Sequence, residues 1–204
     1  MTLMPIDTRR GFLGLLAACS AAAILPAAPA RALTQGQATA LVQQAVDEVY
    51  AVINSGRPAA RMYRDFEGIF VRHADVDAIA RTVLGPAARQ VSAAQFAAYA
   101  QALQGFVARK YGKRFREFIG GRIEVRGARQ LKSFWAVDST AYLSGQSPMA
   151  VEWHVSDRSG RPRFFNLIIE GVNMLATERE EIRAMLARNR GDIAALTAAL
   201  QQAG

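Results

Sequence analysis

Few side chains in this chain are equipped for acid–base, nucleophilic or metal chemistry. The 204 residues contain two histidines and one cysteine. His73 and His154 lie far apart, so neither belongs to an H-E-x-x-H pair or another short ligand motif. No G-x-S-x-G elbow or P-loop occurs. The one pairing with catalytic potential is Glu152 with His154. In an extended stretch, residues two apart share a face, so this carboxylate could orient the imidazole for proton transfer. An isomerase or dehydratase built on a small cone-shaped α+β fold is therefore the rival enzymatic reading. Against it, Met149, Val151, Trp153 and Val155 occupy the other face, which leaves the Glu152/His154 side without the oily pocket such an enzyme needs.

The elements around this stretch follow from periodicity. Beyond Gly121 apolar residues alternate with polar ones, at Ile123 and Val125, and then across residues 140–144, 149–156 and 163–172, which predicts four short strands. Residues 157–160 separate the last two at hairpin length, so those two pair antiparallel. In the last strand Phe165, Leu167 and Ile169 form one apolar face, while Phe164 and Ile168 make the other partly apolar, a pattern of burial on both sides. Glu170 follows on the Phe164/Ile168 face, and Gly171 allows the backbone to bend.

Helices precede and follow the strands. Thr34 caps a helix over residues 34–55, and a weaker amphipathic region spans 66–85. Ser92 with Gln95 forms a capping box for the longest helix, over residues 92–119. Along it Phe96, Tyr99, Phe106, Tyr111, Phe115 and Phe118 place six of the seventeen aromatics on one stripe, with Arg109, Lys110, Lys113, Arg114 and Arg116 on the remaining arc. Thr177 with Glu180 predicts a further capping box, and Gly191-Asp192 restarts a last helix. The order predicts an α+β domain: helices packed on one small, curved, mostly antiparallel sheet of about four strands, enclosing an apolar cavity, with the aromatic helix covering the oily face.

The N-terminus carries a separate message. Arg9-Arg10 precede Phe12 and Leu13, and an alanine-rich apolar run leads to Ala30-Arg31-Ala32. This reads as a twin-arginine export signal over residues 1–32, ahead of a single domain over 33–204 in the periplasm. Cys19 closes a weaker lipoprotein-like box. Cleavage after Ala32 removes Cys19 and with it disulfide and thiol chemistry. The remainder keeps 22 basic against 16 acidic residues. After export, that basic surface meets acidic membranes, lipid headgroups and proteins rather than nucleic acid. A protein-binding adaptor with a solid core is the third reading.

The segments Asp75-Val76-Asp77-Ala78-Ile79-Ala80-Arg81-Thr82-Val83-Leu84-Gly85, Ser92-Ala93-Ala94-Gln95-Phe96, Tyr111 and Ile169-Glu170-Gly171-Val172 resemble, in order, the MlaC or toluene-tolerance family of periplasmic phospholipid-binding proteins. Members often have Trp, Asp and Ser where this chain has Pro162, Asn166 and Asn173, and an aromatic where it has Ala88. These departures point toward a divergent branch that includes relatives associated with hopanoid lipids. The resemblance implies no enzyme and no cofactor, but a phospholipid or hopanoid-like lipid as cargo. It also implies shuttling between an outer-membrane lipoprotein complex and an inner-membrane transporter complex bearing an MCE-domain protein.

Physical chemistry makes such a carrier sensible. At about 0.8 kcal/mol per methylene, a bare acyl chain of about sixteen carbons costs on the order of 10 kcal/mol in water. Shielding it requires a dry slot with few polar groups inside. The facing argument selects Phe106, Tyr111, Val151, Trp153, Val155, Phe165, Leu167 and Ile169 as lining residues.

Overall fold

The structure, a computed structural model, describes residues 32–114 and 118–203. The expected export signal with Arg9, Arg10 and Cys19 lies outside the described residues, as do Phe115 and Arg116.

The first helix, α1 (Gln35–Ile53), starts where Thr34 and Gln37 form a reciprocal capping box. Its buried stripe of Ala38, Val42, Ala45 and Val46 recurs at spacings of three and four. Helix α2 (Ala59–His73) begins before, and α3 (Val76–Leu84) lies within, residues 66–85, which the sequence reads as one weak amphipathic segment. They separate because Ala74 bridges in parallel to Phe164, with the Asp75 amide donating to the Phe164 carbonyl at 2.8 Å. The Asp75 carboxylate then caps α3. A 3₁₀ turn (Gly85–Arg89) leads to α4 (Ala93–Gly112), which begins at the expected Ser92/Gln95 box.

Five strands follow, one more than the sequence pattern predicts: β1 (Arg122–Leu131), β2 (Phe134–Tyr142), β3 (Met149–Ser156), β4 (Arg163–Ile169) and the two-residue β5 (Val172–Asn173). They form an antiparallel meander in sequence order. Glu170 and Gly171 both have positive φ, which suits a two-residue turn between β4 and β5. The Glu170 carboxylate accepts the backbone amide of Ala150.

Helix α5 (Met174–Arg188) starts three residues before the expected Thr177/Glu180 box. Asn173 is the cap, accepting from the Ala176 amide, and the Thr177 hydroxyl donates back to the Asn173 carbonyl at 3.1 Å. Asp192 caps α6 (Ile193–Gln202), where the restart was expected.

The molecule is thus an α+β fold, and among the described residues most buried apolar side chains gather into three cores. One joins α1 to the sheet through Val42, Val46, Val137, Val155 and Phe164. A second lies within the helices α3, α4, α5 and α6, around Tyr99, Leu103, Ile182 and Leu196. A smaller third joins the end of α1 to α2. The helix that covers the sheet is therefore α1. The expectation that the aromatic helix does so is corrected: α4 packs mainly on α2, α3 and α6. Its aromatics Phe96, Tyr99 and Phe106 are buried among helices. Among the described residues no helix is long and apolar enough to cross a membrane.

Candidate functional site

The register across β2, β3 and β4 sorts the sheet into two faces. Trp135 pairs with Val155, Val137 with Trp153 and Ser139 with Val151, so these six share the face that α1 covers. Continuing into β4, Trp153 pairs with Leu167 and Val151 with Ile169, which brings Leu167 and Ile169 onto that same face. Five of the eight residues selected from sequence, Val151, Trp153, Val155, Leu167 and Ile169, therefore lie together.

Phe165 does not join them. The ladder between β3 and β4 shifts between His154 and Val155, where Val155 pairs with Phe164 and Phe165 is the extra residue. A bulge of this kind reverses the alternation beyond it. Phe164 consequently turns onto the α1 side, edge-on to Trp153 with ring centroids 5.4 Å apart. Phe165 turns onto the opposite face, 5.3 Å from Phe134 and 5.7 Å from the His154 ring. The expected pairing of Phe165 with Leu167 and Ile169 is thereby corrected. Phe106 and Tyr111 also sit elsewhere. Phe106 is part of the helical core, and the Tyr111 hydroxyl donates to Glu178 on α5.

The α1-side face is divided in two. Toward the β3–β4 hairpin, Val155, Phe164 and Trp153 are packed against α1. That end is also tied by hydrogen bonds: the Trp135 indole donates to the Leu33 carbonyl at 2.8 Å, and the Leu33 amide donates to Asp157 at 3.0 Å. Toward the other end, Val151 is buried, and neither it nor Leu167 or Ile169 belongs to the three clusters above among the described residues. Leu167 and Ile169 are only half-buried. Between the two halves, the Trp153 indole donates to Ser139 Oγ and that hydroxyl donates to the Val151 carbonyl, both at 3.0 Å. The indole and the hydroxyl on this face are thus hydrogen-bonded within the protein rather than to a ligand. Sequence reasoning passed over Ser139, whose signal was its place in the alternation Trp135, Val137, Ser139, Ala141.

Clefts are found elsewhere on the molecule. One of about 390 Å³ lies between α3, the 3₁₀ turn and α5, and one of about 490 Å³ between α1 and α2. None of the eight selected residues lines either, and neither is the enclosed apolar chamber expected from sequence. Val155 and Phe106, selected to line one chamber, instead fill two different cores.

The opposite sheet face carries the Glu152/His154 pair. His154 Nε2 lies 2.6 Å from Glu152, and its Nδ1 lies 3.4 Å from the Asn166 amide nitrogen. Asn166 Oδ1 accepts the amides of Leu167 and Leu175, which fixes the side-chain NH₂ toward the imidazole. Nδ1 then accepts and Nε2 donates, so both ring nitrogens are engaged. Burial pushes the Glu152 carboxyl up, but hydrogen bonds from Arg129 and His154 outweigh it and hold it below the usual carboxylate range. The constellation is an ion-pair network on a sheet surface, with Arg129 also 2.7 Å from Asp138. It resembles a structural brace more than a base poised for proton transfer.

A second polar lock joins α4 to α5. Lys110 is 2.6 Å from the buried Glu178 and also pairs with Glu181. Burial pulls the Lys110 ammonium down, but the two carboxylates outweigh it and hold its pKa above the usual lysine value. Burial, with Glu178 beside it, pushes the Tyr111 hydroxyl up, so it remains a donor. Among the described residues no cluster of three or more His, Cys, Asp or Glu side chains could hold a metal ion.

The family described as "MlaC protein" matches residues 43–202. A solved structure of a phospholipid-binding protein from Ralstonia solanacearum, in complex with a phospholipid, superposes with a TM-score of 0.70. It is 19% identical, and the match covers 81% of this chain and 96% of that one. No curated protein matches.

Proposed function

The chain belongs to the MlaC protein family, and from that premise we propose that it binds a lipid by its acyl chains and carries it through the periplasm. The observation that carries this reading is the patch formed by Val151, Leu167 and Ile169. Leu167 and Ile169 are apolar and only half-buried, Val151 beside them is buried, and the neighbouring Trp153 indole and Ser139 hydroxyl are hydrogen-bonded. Such a surface gains by taking up hydrocarbon, at about 25 cal/mol per Å² removed from water. A structural relative of the same fold that holds a phospholipid supports phospholipid as the ligand class.

In this reading Val151, Trp153, Leu167 and Ile169 contact the acyl chains, and α1 holds the other half of the sheet closed. The protein is a binding and transport protein rather than an enzyme. The Arg9-Arg10 motif supports twin-arginine export, with residues 1–32 removed and 33–204 forming the carrier. The partners that fit are an outer-membrane lipoprotein complex and an inner-membrane MCE-domain transporter complex, between which the lipid is passed.

Organic extraction and mass spectrometry of protein produced in a lipid-containing host test this. The carrier reading expects phospholipid or hopanoid near one molecule per chain. A protein that stays lipid-free, even after incubation with vesicles, contradicts it.

A further inference from the structure

The cleft between α3, the 3₁₀ turn and α5 has a charge pattern that the acyl-binding patch does not explain. Its wall includes Arg81, Thr82, Gly85, Pro86, Arg89 and Arg179, and the open cleft has a volume of about 390 Å³. Three guanidinium groups thus reach one cleft from three elements, and no carboxylate lines it. Arg89 and Arg179 make no hydrogen bond or ion pair within the described residues, and Arg81 makes only a stacking contact, its guanidinium carbon 4.1 Å from the centre of the Phe96 ring. Stacking of this kind holds the guanidinium plane while leaving its edge N–H donors free.

The second cleft shows that this is not merely a basic surface. It too is lined by three arginines, Arg57, Arg64 and Arg72, but Asp65 lies 2.7 Å from Arg57 and Glu48 lies 2.6 Å from Arg72. There the protein supplies its own counter-ions. In the first cleft it supplies none, even though α5 carries three glutamates close to Arg179. Glu178 and Glu181 are both engaged by Lys110, and Glu180 faces Arg183. Asp77, one turn before Arg81 on α3, makes no ion pair with it.

Backbone geometry also shapes this corner. Gly85 sits at φ +65° and ψ −137°, a conformation essentially reserved for glycine, and its position lies 3.7 Å from the Arg179 guanidinium when a Cβ is built there. Arg81, before this glycine, and Arg89, after it, line the same opening. By liquid-water volume, the space holds about a dozen waters, enough for a phosphate ester with part of its alcohol.

We infer that this cleft is a binding site for a phosphate group, gripped by Arg81, Arg89 and Arg179. Guanidinium forks match phosphate oxygens bidentately, and three uncompensated cations favour a phosphate over a single carboxylate. The group comes either from a soluble phosphate ester or from the headgroup of an anionic lipid in a membrane surface. The site stands apart from the acyl patch and does not rest on it.

The test is an NMR titration of the protein with glycerol 3-phosphate and with inorganic phosphate, alongside flotation with phosphatidylglycerol vesicles against phosphatidylcholine vesicles. The wild type, the double variant Arg89→Gln/Arg179→Gln and the control Arg57→Gln are compared. The replaced side chains are exposed, so the thermal midpoint of the double variant should match the wild type. Soluble phosphates are expected to shift amides around Gly85 and Arg179, and the double variant to bind about 100-fold more weakly, about tenfold for each guanidinium removed. Arg57→Gln is expected to bind as the wild type does. Shifts without phosphatidylglycerol-dependent flotation assign a soluble ester, whereas flotation that the double variant loses assigns a membrane headgroup. The proposal is overturned if neither probe acts at this corner, or if Arg57→Gln weakens binding as much as the double variant. Lipid extraction, read separately, reports on the acyl patch and is not moved by these changes.

Discussion

Leu167→Glu separates lipid binding from folding more cleanly than any other single change. Leu167 pairs with Trp153 on the α1-side face, is half-buried, and joins none of the packed cores among the described residues. In the unliganded protein a glutamate there can turn its carboxylate toward water, so the fold should lose no more than about 1 kcal/mol. With lipid present the same carboxylate lies under hydrocarbon. An unpaired buried charge costs several kcal/mol, and the contact of the leucine side chain with the acyl chain, about 2 kcal/mol, is lost as well. A net loss of about 4 kcal/mol corresponds to roughly a thousandfold weaker binding. Val155→Glu serves as the contrast. Val155 is fully buried against α1, so that substitution should unfold the domain rather than empty it. The assay is mass spectrometry of organic extracts from each purified variant, with circular dichroism and thermal unfolding on the same samples. Leu167→Glu should be folded and lipid-poor. A folded Leu167→Glu protein with wild-type lipid content refutes the placement of the acyl chains on this face.

Further outcomes follow from other contacts. Gly121→Ala places a Cβ 2.5 Å from the Tyr142 carbonyl oxygen at the start of β1, and the required backbone shift should cost about 1–3 kcal/mol and lower the thermal midpoint. Lys110→Met leaves the buried Glu178 without its cation and should destabilise by about 3 kcal/mol, measured by urea unfolding. Glu48 and Glu152 have carboxyls held below the ordinary glutamate value of 4.5, because hydrogen bonds from Arg72 and His73, and from Arg129 and His154, outweigh the opposing effect of burial. Their stabilisation is present above pH 4.5, where the unfolded chain is also ionised, and is lost as pH falls through the lowered folded values. Denaturant unfolding across this acid range should show stability rising with pH, and the double variant Glu48→Gln/Glu152→Gln should flatten that slope.

Much of the fold is visible in residue types alone. The Thr34 cap, the Ser92 box and the Gly191-Asp192 restart mark helix starts that the structure uses, because a capping side chain acts within its own turn. The strand alternation in Met149–Ser156 correctly separates Val151, Trp153 and Val155 from Glu152 and His154. What could not be read depends on partners distant in sequence. The bulge that turns Phe165 away is a property of two paired strands, and period-two counting along β4 alone carries the wrong parity past it. The break between α2 and α3 arises from the bridge of Ala74 to Phe164, about ninety residues on. Which helix covers the sheet is hidden from the sequence for a related reason. The aromatic stripe of α4 signals burial but not against what, and it is α3, α5 and α6 that bury it. Alanine and valine on α1 are less conspicuous, yet small side chains let that helix lie close on the sheet.

In the proposed carrier, hydrocarbon lies against the β3–β4 face that carries Val151, Leu167 and Ile169. Intermolecular nuclear Overhauser effects between a bound phospholipid and methyl-labelled protein test this most directly. Acyl methylene protons should show cross-peaks to the methyls of Val151, Leu167 and Ile169. Cross-peaks confined to Ile168 on the opposite face, or none from a protein that retains lipid, would contradict it.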